Sequence, residues 1–171
     1  MDIFSVLHQD HENVSTIFKK FEAFKGKQGS AQTCEYLFKE LDTELSLHAQ
    51  VEEDIVYPVF EEKQETSEII EESLEEHKEI ESLLSDLREM PPDDESLEEW
   101  MSQLEDLQEK VEHHVQEEEG QLFPKAKKII SKDEADSWAR RCRRPKTSCA
   151  GSKTTKRLLN ARERGARLRM P

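Results

Sequence analysis

The stretches HAQVEEDIVYP (residues 48–58) and HVQEEEGQLFP (residues 114–124) carry one chemical pattern: a histidine, a glutamate four residues later, and a proline six residues after that glutamate. They are displaced by 66 residues, and the same displacement carries His11 onto His77. Four of the six histidines therefore obey a single internal repeat. Because self-similarity at a fixed spacing marks a supersecondary unit used more than once, we predict one helix pair that occurs twice.

Around these stretches, inward-facing residues recur at steps of three and four, which is the spacing of one face of an α-helix. Four such stripes follow one another, the first within residues 3–25, and each has a histidine near its middle. We therefore predict four helices, each with polar residues of metal-ligand type on its apolar face. The stripes read Phe4, Leu7, His11, Val14, Phe18 and Phe21; Leu41, Leu45, His48, Glu52 and Ile55; Ile70, Leu74, His77, Glu81 and Leu84; and Leu107, Val111, His114 and Glu118.

Breaks in the pattern place the helix ends. GKQGS at 26–30 and MPPDD at 90–94 separate the helices, and Pro58 is expected to kink or end the second one. Thr66 or Ser67 can cap the third helix, and a capping box from Ser96 to Glu99 can open the fourth. The fourth helix then meets Pro124 and ends among lysines, which favour a helix C-terminus.

Four helices with short connections predict an all-α fold, an antiparallel up-and-down four-helix bundle over residues 1–130. A second region, residues 131–171, is predicted to contain a short helix and a basic tail. The short helix begins near Ser131, with Glu134 completing a capping box, and is expected to pack Trp138 on the bundle.

Imidazoles and carboxylates on an apolar stripe need partners, because burying an unpaired polar group costs about 1–3 kcal/mol. The pairs His48/Glu52 and His114/Glu118 have i, i+4 spacing, so each pair projects a nitrogen and an oxygen from one face. One metal cluster would satisfy these side chains together. The candidate ligands are His11, His48, Glu52, His77, Glu81, His114 and Glu118.

The number and type of these ligands favour two metal ions. Imidazole with carboxylate suits iron or manganese, and six or seven protein ligands exceed what tetrahedral zinc takes. The repeat suggests a pair of ions related by a pseudo-twofold axis, with Glu52 and Glu118 as natural bridges. The residues alone leave iron and manganese open, and a bridging hydroxide would help to neutralise the pair of ions.

The order H, H-x-x-x-E, H, H-x-x-x-E over residues 1–130 resembles the hemerythrin-like, or HHE cation-binding, domains. The resemblance implies a four-helix bundle holding a non-haem di-iron centre that binds or reacts with dioxygen, peroxide or nitric oxide. The predicted cofactor is therefore two non-haem iron ions, with manganese possible, and a bridging oxo or hydroxo ligand. Carried over by position, it implies that His11 and His48 bind one iron and that His77 and His114 bind the other. Glu52 and Glu118 would bridge the ions. His113 with Glu117 is an alternative register, whereas Tyr57 and Phe123 are expected to pack beside the prolines.

One position departs from the oxygen-carrying hemerythrins, which place a second histidine four residues after the first in the third helix. This chain has Glu81 there, within HKEIE, although Ile80 competes for the inward direction. A carboxylate stabilises the ferric state more than an imidazole does. We therefore expect sensing, peroxide removal or iron handling, with a peroxidase or catalase-type activity possible, in preference to reversible oxygen transport.

Composition sets limits on location. The chain has 171 residues and a net charge of −14, and its longest apolar run, IVYPVF at 55–60, is too short to cross a membrane. The N-terminus lacks the basic and apolar regions of a signal peptide. Three cysteines, an odd number, at spacings typical of neither zinc ribbons nor disulfide frameworks favour a reducing compartment. We expect a cytoplasmic protein, as a monomer or homodimer, with a small-molecule oxidant as its partner.

Charge divides the chain in two. Residues 140–171 hold twelve of the 25 Lys and Arg but one of the 39 acids, which gives +11 there and −25 over residues 1–139. Clustered cations favour a nucleic acid or another anionic partner for the tail. The alternative function is therefore a metal-dependent regulatory protein whose basic tail contacts a partner.

A ferritin-like di-iron oxidase is disfavoured, because no histidine has a glutamate three residues before it. A metal-free bundle with hydrogen-bonded core histidines is the plainest alternative.

Overall fold

The computed structural model describes residues 1–27 and 30–142, and within these ranges the chain is helical, without strands. The predicted all-α fold is confirmed as an antiparallel four-helix bundle with a short C-terminal helix. The basic segment 143–171 and its predicted properties lie outside the described residues. The helices are α1 (Ile3–Glu22), α2 (Ala31–Val51), α3 (Tyr57–Phe60), α4 (Ser67–Glu89), α5 (Leu97–Glu117), α6 (Phe123–Ile129) and α7 (Lys132–Cys142).

Two five-residue π-helical segments, Glu52–Val56 and Glu118–Leu122, join α2 to α3 and α5 to α6. Each begins at a candidate ligand and precedes an α-helical turn that contains Pro58 or Pro124. Because proline lacks an N–H, it cannot donate to the carbonyl four residues earlier. The wider π register lets the chain continue through both prolines, so the second predicted helix extends to Phe60. π-Bulges are frequent at functional sites, and these two obey the 66-residue repeat.

The bundle packs as two helix pairs, α1 on α2 and α4 on α5. Its apolar core forms two separate clusters, one around Phe21, Phe38 and Trp100, the other around Phe4, Tyr57 and Phe60. Buried polar side chains from all four long helices lie between them. The buried polar and charged residues are His11, Ser30, His48, Glu52, Thr66, Ser73, His77, His114 and Glu118.

The helix caps differ in part from the sequence expectation. Thr66 precedes α4 but makes no cap bond, because its hydroxyl donates to the carbonyl of Phe60 at 2.8 Å. The capping box predicted at Ser96 is also wrong, since Ser96 gives no side-chain cap. Instead, the carboxylate of Asp93 accepts from the backbone N–H groups of Glu95 and Ser96, both at 2.8 Å.

The short helix α7 packs against α1 and closes one end of the bundle. The predicted capping box is present: Glu134 Oε2 accepts from the Ser131 N–H at 2.9 Å, and the Glu134 N–H donates to the Ser131 hydroxyl at 3.3 Å. Trp138 is buried against Phe60, with ring centroids 6.0 Å apart. Among the residues that the structure describes, no helix is long and apolar enough to span a bilayer.

Candidate metal centre

Four histidines, one from each long helix, converge at the middle of the bundle. The Nε2 atoms of His11 and His48 are 3.1 Å apart, and those of His77 and His114 are 3.3 Å apart. All four side chains are buried, with exposed fractions between 3% and 8%. The amphipathic stripes predicted this arrangement, because each histidine lies on the apolar face of its helix.

Two fully buried glutamates lie among the histidines. Glu52 Oε1 is 3.1 Å from Nε2 of His48, and its Oε2 is 3.2 Å from Nε2 of His77. Glu118 Oε2 is 3.2 Å from Nε2 of His11. Glu52 therefore connects the two histidine pairs, since His48 belongs to the first pair and His77 to the second.

Several polar atoms of this cluster lack hydrogen bonds. Among the described residues, neither carboxylate oxygen of Glu118 has a hydrogen-bond partner of good geometry, and the same holds for Glu52 Oε1. A buried carboxylate without partners is strongly disfavoured unless a cation compensates it. The donor chemistry of the cluster therefore fits a bound metal ion.

The pKa values of the neighbouring His11 and His48 shift in opposite directions. Burial, together with the neighbouring His48, lowers the pKa of His11 to about 4. Burial also disfavours the charged form of His48, but Glu52 and Asp10 outweigh it and raise the pKa of His48 to about 10. At neutral pH, His11 is a neutral imidazole and His48 is an imidazolium.

The pKa values of the two glutamates, like those of His11 and His48, shift in opposite directions. Burial opposes ionisation of Glu52, but His48 and His77 outweigh it and hold the Glu52 pKa well below its usual range. Burial and the nearby charge of Glu52 hold the pKa of Glu118 well above its usual range. In the absence of a metal, protons supply part of the charge that balances this cluster.

The ligand atoms form two groups, each within 4.8 Å, and both groups contain Glu52. The first has two histidines and two glutamates, and the second has two histidines and one glutamate. Glu52 is common to both groups, and a mixed imidazole and carboxylate set is suited to binding a metal cation. The groups are His11, His48, Glu52 and Glu118, and Glu52, His77 and His114.

Comparison with known proteins agrees with this geometry. The model of the hemerythrin HHE cation-binding domain matches residues 2–126, which include all of the residues above. The chain belongs to the hemerythrin HHE cation-binding domain family. The helical fold and the buried His/Glu cluster are therefore those of a metal-binding hemerythrin-like domain.

A relative described as a DNA nickase, from Nostoc sp. (strain PCC 7120 / SAG 25.82 / UTEX 2576), is 25% identical over 142 residues. The match covers 81% of this chain and 37% of the relative, so this chain spans little more than a third of that protein's length. No solved structure gives a significant match to the chain.

Glu81, a predicted ligand, does not join the cluster of this hemerythrin domain. Its side chain is 60% exposed, and its Oε1 pairs with the guanidinium of Arg88 at 2.7 Å. Ile80 takes the inward direction and is 7% exposed. Adjacent helical residues point about 100° apart, so only one of the two can face the bundle axis. The expectation that Glu81 is a ligand is thus corrected.

Sequence analysis assigned Tyr57 to packing, whereas the structure also places its hydroxyl at the cluster. Tyr57 Oη donates to Glu52 Oε2 at 3.2 Å and lies 3.5 Å from Nε2 of His77. Its ring stacks on the His77 ring at 5.5 Å, and at the repeat-related position Phe123 stacks on His11 at 6.1 Å. The sequence signal was a tyrosine immediately before Pro58 where the repeat-related position before Pro124 has a phenylalanine.

A small apolar cavity adjoins the four histidines. Its volume is about 20 Å³, slightly more than the space that one water molecule requires. Its walls are formed by the imidazole rings and by aliphatic side chains. The lining residues are His11, Val14, Leu45, His48, Ala49, His77, Ile80, Val111, His114 and Val115.

Proposed function

We propose that this hemerythrin domain, formed by residues 1–130, holds two non-haem iron ions and binds or reduces a small oxidant: dioxygen, peroxide or nitric oxide. His11 and His48 would hold one ion, His77 and His114 the other. Glu52 and Glu118 would bridge them. The bound ions would supply one-electron chemistry and an open coordination position for the oxidant.

The observation that carries this proposal is the convergence of four buried histidines on two buried glutamates, three of whose carboxylate oxygens have no hydrogen bond of good geometry among the described residues. Both oxygens of Glu118 have no hydrogen bond within the described part of the chain, and Glu52 lies between the two histidine pairs. A structural bundle without metal would lose little stability if these groups were replaced by apolar ones of the same shape, because such a replacement is close to neutral or stabilising. Conversely, a dinuclear centre uses every one of these atoms.

The surroundings of the cluster suit a small, weakly polar ligand. The cavity of about 20 Å³ beside the histidines is bounded by Val14, Leu45, Ile80 and Val111. Its size suits a ligand of a few atoms, and these aliphatic side chains make its walls largely apolar. Tyr57 holds its proton firmly, because burial and the charges of Glu52 and Glu118 raise its pKa well above the usual range. Its hydroxyl can therefore orient Glu52 without ionising.

The decisive test is metal analysis of protein reconstituted anaerobically with Fe(II) and then exposed to air. We expect about two irons per chain and near-ultraviolet charge-transfer absorption of the ferric form. Glu52→Gln should lose both, while Glu61→Gln, which changes an exposed acid, should retain both. Wild-type protein that binds no iron and stays colourless would refute the proposal. If manganese alone were retained, the dinuclear site would stand but the identity of the metal would change.

Peroxide consumption separates an enzyme from a sensor. We expect an enzyme to consume peroxide catalytically when loaded with iron, and to lose this activity in Glu52→Gln. A sensor would change its absorption once on exposure to oxidant and would consume no more than one equivalent per centre.

A second function is favoured by the similarity to a protein named as a DNA nickase and by the net charge of +11 over residues 140–171. In this alternative, the hemerythrin domain regulates an interaction with an anionic partner, and the basic tail makes the contact. Lys and Arg clusters gain affinity for nucleic acid through counterion release, so binding should weaken steeply with salt.

This alternative can be tested with a chain that ends at Cys142, which keeps α7 intact. We expect the full chain to bind duplex DNA at low salt and the shortened chain not to bind it, with the same metal spectrum in both. A supercoiled plasmid would report nicking. Equal binding by both chains would remove the tail from this function.

A further inference from the structure

The outward-facing nitrogen of each clustered histidine also has a carboxylate nearby. Each of the four histidines turns Nε2 toward the centre and Nδ1 toward a carboxylate on the rim of the bundle. Three of these contacts are at hydrogen-bond distance and the fourth is longer. The pairs are His11 with Glu119 at 2.7 Å, His77 with Glu53 at 2.9 Å, His114 with Glu76 at 2.9 Å, and His48 with Asp10 at 3.8 Å.

These four acids follow the same repeat as the candidate ligands. A shift of 66 residues carries Glu53 onto Glu119 and Asp10 onto Glu76, just as it carries each histidine onto its mate. In the sequence, an acid immediately precedes His11 and His77, and a second glutamate immediately follows Glu52 and Glu118. The duplicated unit therefore includes a rim of acids as well as an inner set of ligands.

The physical reason lies in the tautomer of the histidine. An imidazole that binds a metal through Nε2 carries its proton on Nδ1, and a carboxylate that accepts this proton fixes both the tautomer and the ring orientation. The same hydrogen bond makes Nε2 a stronger donor. Without such a carboxylate, the buried ring can rotate or move its proton to Nε2, and either change removes the lone pair from the centre.

We propose that Glu53, Glu76 and Glu119 are positioning residues for the metal centre, each orienting the histidine whose Nδ1 it contacts. Asp10 is not included, because at 3.8 Å it leaves His48 Nδ1 without a hydrogen bond among the described residues. This inference rests on the proposed ligand set but concerns residues outside it. In this proposal the acids act on the ions through the imidazole rings of the histidines. Loss of a partner of this kind typically lowers metal affinity by about 10- to 100-fold.

The acids that face the histidine Nδ1 atoms, here called the rim acids, differ in the number of histidines they contact, and Glu53 is the best position for a test. Glu119 also accepts from the exposed His8 at 2.8 Å, and Glu76 also accepts from the exposed His113 at 2.8 Å. Glu53, in contrast, faces His77 alone, and its side chain is 46% exposed. A substitution at Glu53 therefore removes one contact to one ligand and leaves the apolar core untouched.

The experiment is a comparison of three variants of the full chain: Glu53→Ala, Glu53→Gln and Asp54→Ala. Glu53→Ala removes the acceptor, whereas Glu53→Gln keeps a carbonyl acceptor and loses only the charge. Asp54→Ala is the matched control, because Asp54 is the next residue of the same π-helical segment, is exposed, and carries the same charge. Metal affinity is measured by anaerobic Fe(II) titration, and the ferric form is compared by its charge-transfer spectrum.

We expect Glu53→Ala to weaken metal binding by about 10-fold or more and to shift the ferric spectrum, because one ligand becomes a poorer donor. Glu53→Gln should recover part of the loss, and Asp54→Ala should stay within about twofold of the wild type. Thermal unfolding of the metal-free forms should be cooperative in all three variants, with a modest decrease in Tm for Glu53→Ala, which loses its contact with His77. Wild-type affinity and spectrum in Glu53→Ala would overturn the inference while leaving the dinuclear centre intact. Failure of the wild type to bind metal would refute both.

Discussion

The two halves of the repeat place the same ligands in nearly the same geometry, yet they are not chemically equal. Each half contributes two histidines and a bridging candidate, and their Nε2 to Nε2 distances differ by only a few tenths of an ångström. However, Tyr57 lies on His77, whereas Phe123 lies on His11. Glu52 reaches both histidine pairs, whereas Glu118 is near His11. The repeat thus builds the cluster, and the differences make its two histidine pairs chemically distinct.

The largest expected effect comes from the contrast between the two glutamates. Glu52→Ala should reduce binding of both ions, because Glu52 belongs to both ligand groups. Glu118→Ala should weaken the position at His11 and His48 first. Metal stoichiometry at limiting free iron measures the difference: we expect close to zero irons per chain for Glu52→Ala and about one for Glu118→Ala. Identical stoichiometry in both variants would mean that the two glutamates hold the ions equivalently.

A second comparison concerns pH. Without metal, His48 and His77 have pKa values raised to about 10 and about 9, since nearby carboxylates outweigh burial. Metal binding must displace these protons, so affinity should rise with pH and fall toward acid. Between about pH 7 and 9, each displaced proton should change affinity by about tenfold per pH unit.

Calorimetry in buffers of different ionisation enthalpy would count the protons that leave on metal binding. His11, whose pKa is lowered to about 4, should release none at neutral pH. Metal affinity that does not change between pH 7 and 9 would contradict the assigned protonation of His48 and His77.

The sequence predicted the fold and most of the inner cluster, because helical periodicity and the 66-residue repeat independently select the same histidines. It could not decide between Ile80 and Glu81, which are adjacent on one helix. In the structure Ile80 faces the core, because burying an isoleucine side chain contributes about 1.5–3 kcal/mol. An exposed glutamate loses nothing by pairing with Arg88.

The remaining parts of the site depend on contacts between helices, which no local pattern reports. The Tyr57 hydroxyl reaches the Glu52 side chain across the π-helical segment that begins at Glu52, in which residues five positions apart lie on one face. The rim acids are four among 39 acidic residues, so their type alone does not distinguish them. Their repeat spacing was present in the sequence, but only the Nδ1 contacts of the histidines give that spacing a physical meaning.

A smaller effect is expected where the two halves differ at the aromatic position. Tyr57→Phe makes the halves alike and removes one buried hydrogen bond to Glu52, for a loss of about 1 kcal/mol in stability. Phe123→Tyr adds a hydroxyl near His11 and should not restore that loss. We expect full metal occupancy in Tyr57→Phe with a shifted ferric spectrum. Denaturant unfolding and the spectrum together would test this, and an unchanged spectrum would mean that the tyrosine acts through packing alone.

The smallest expected effect is at Glu81, where the resemblance to oxygen-carrying hemerythrins and the observed placement disagree most. Glu81→Ala removes an exposed ion pair with Arg88, and such pairs contribute about 0–1 kcal/mol. Arg88 keeps its contacts with Asp42, so the change should lie at the lower end of that range. Metal stoichiometry should be that of the wild type, because the carboxylate lies outside the cluster. A Glu81→Ala protein that lost one iron would show that metal binding rotates this part of α4 inward, and would bring the two halves closer to the seven-ligand pattern that the sequence suggested.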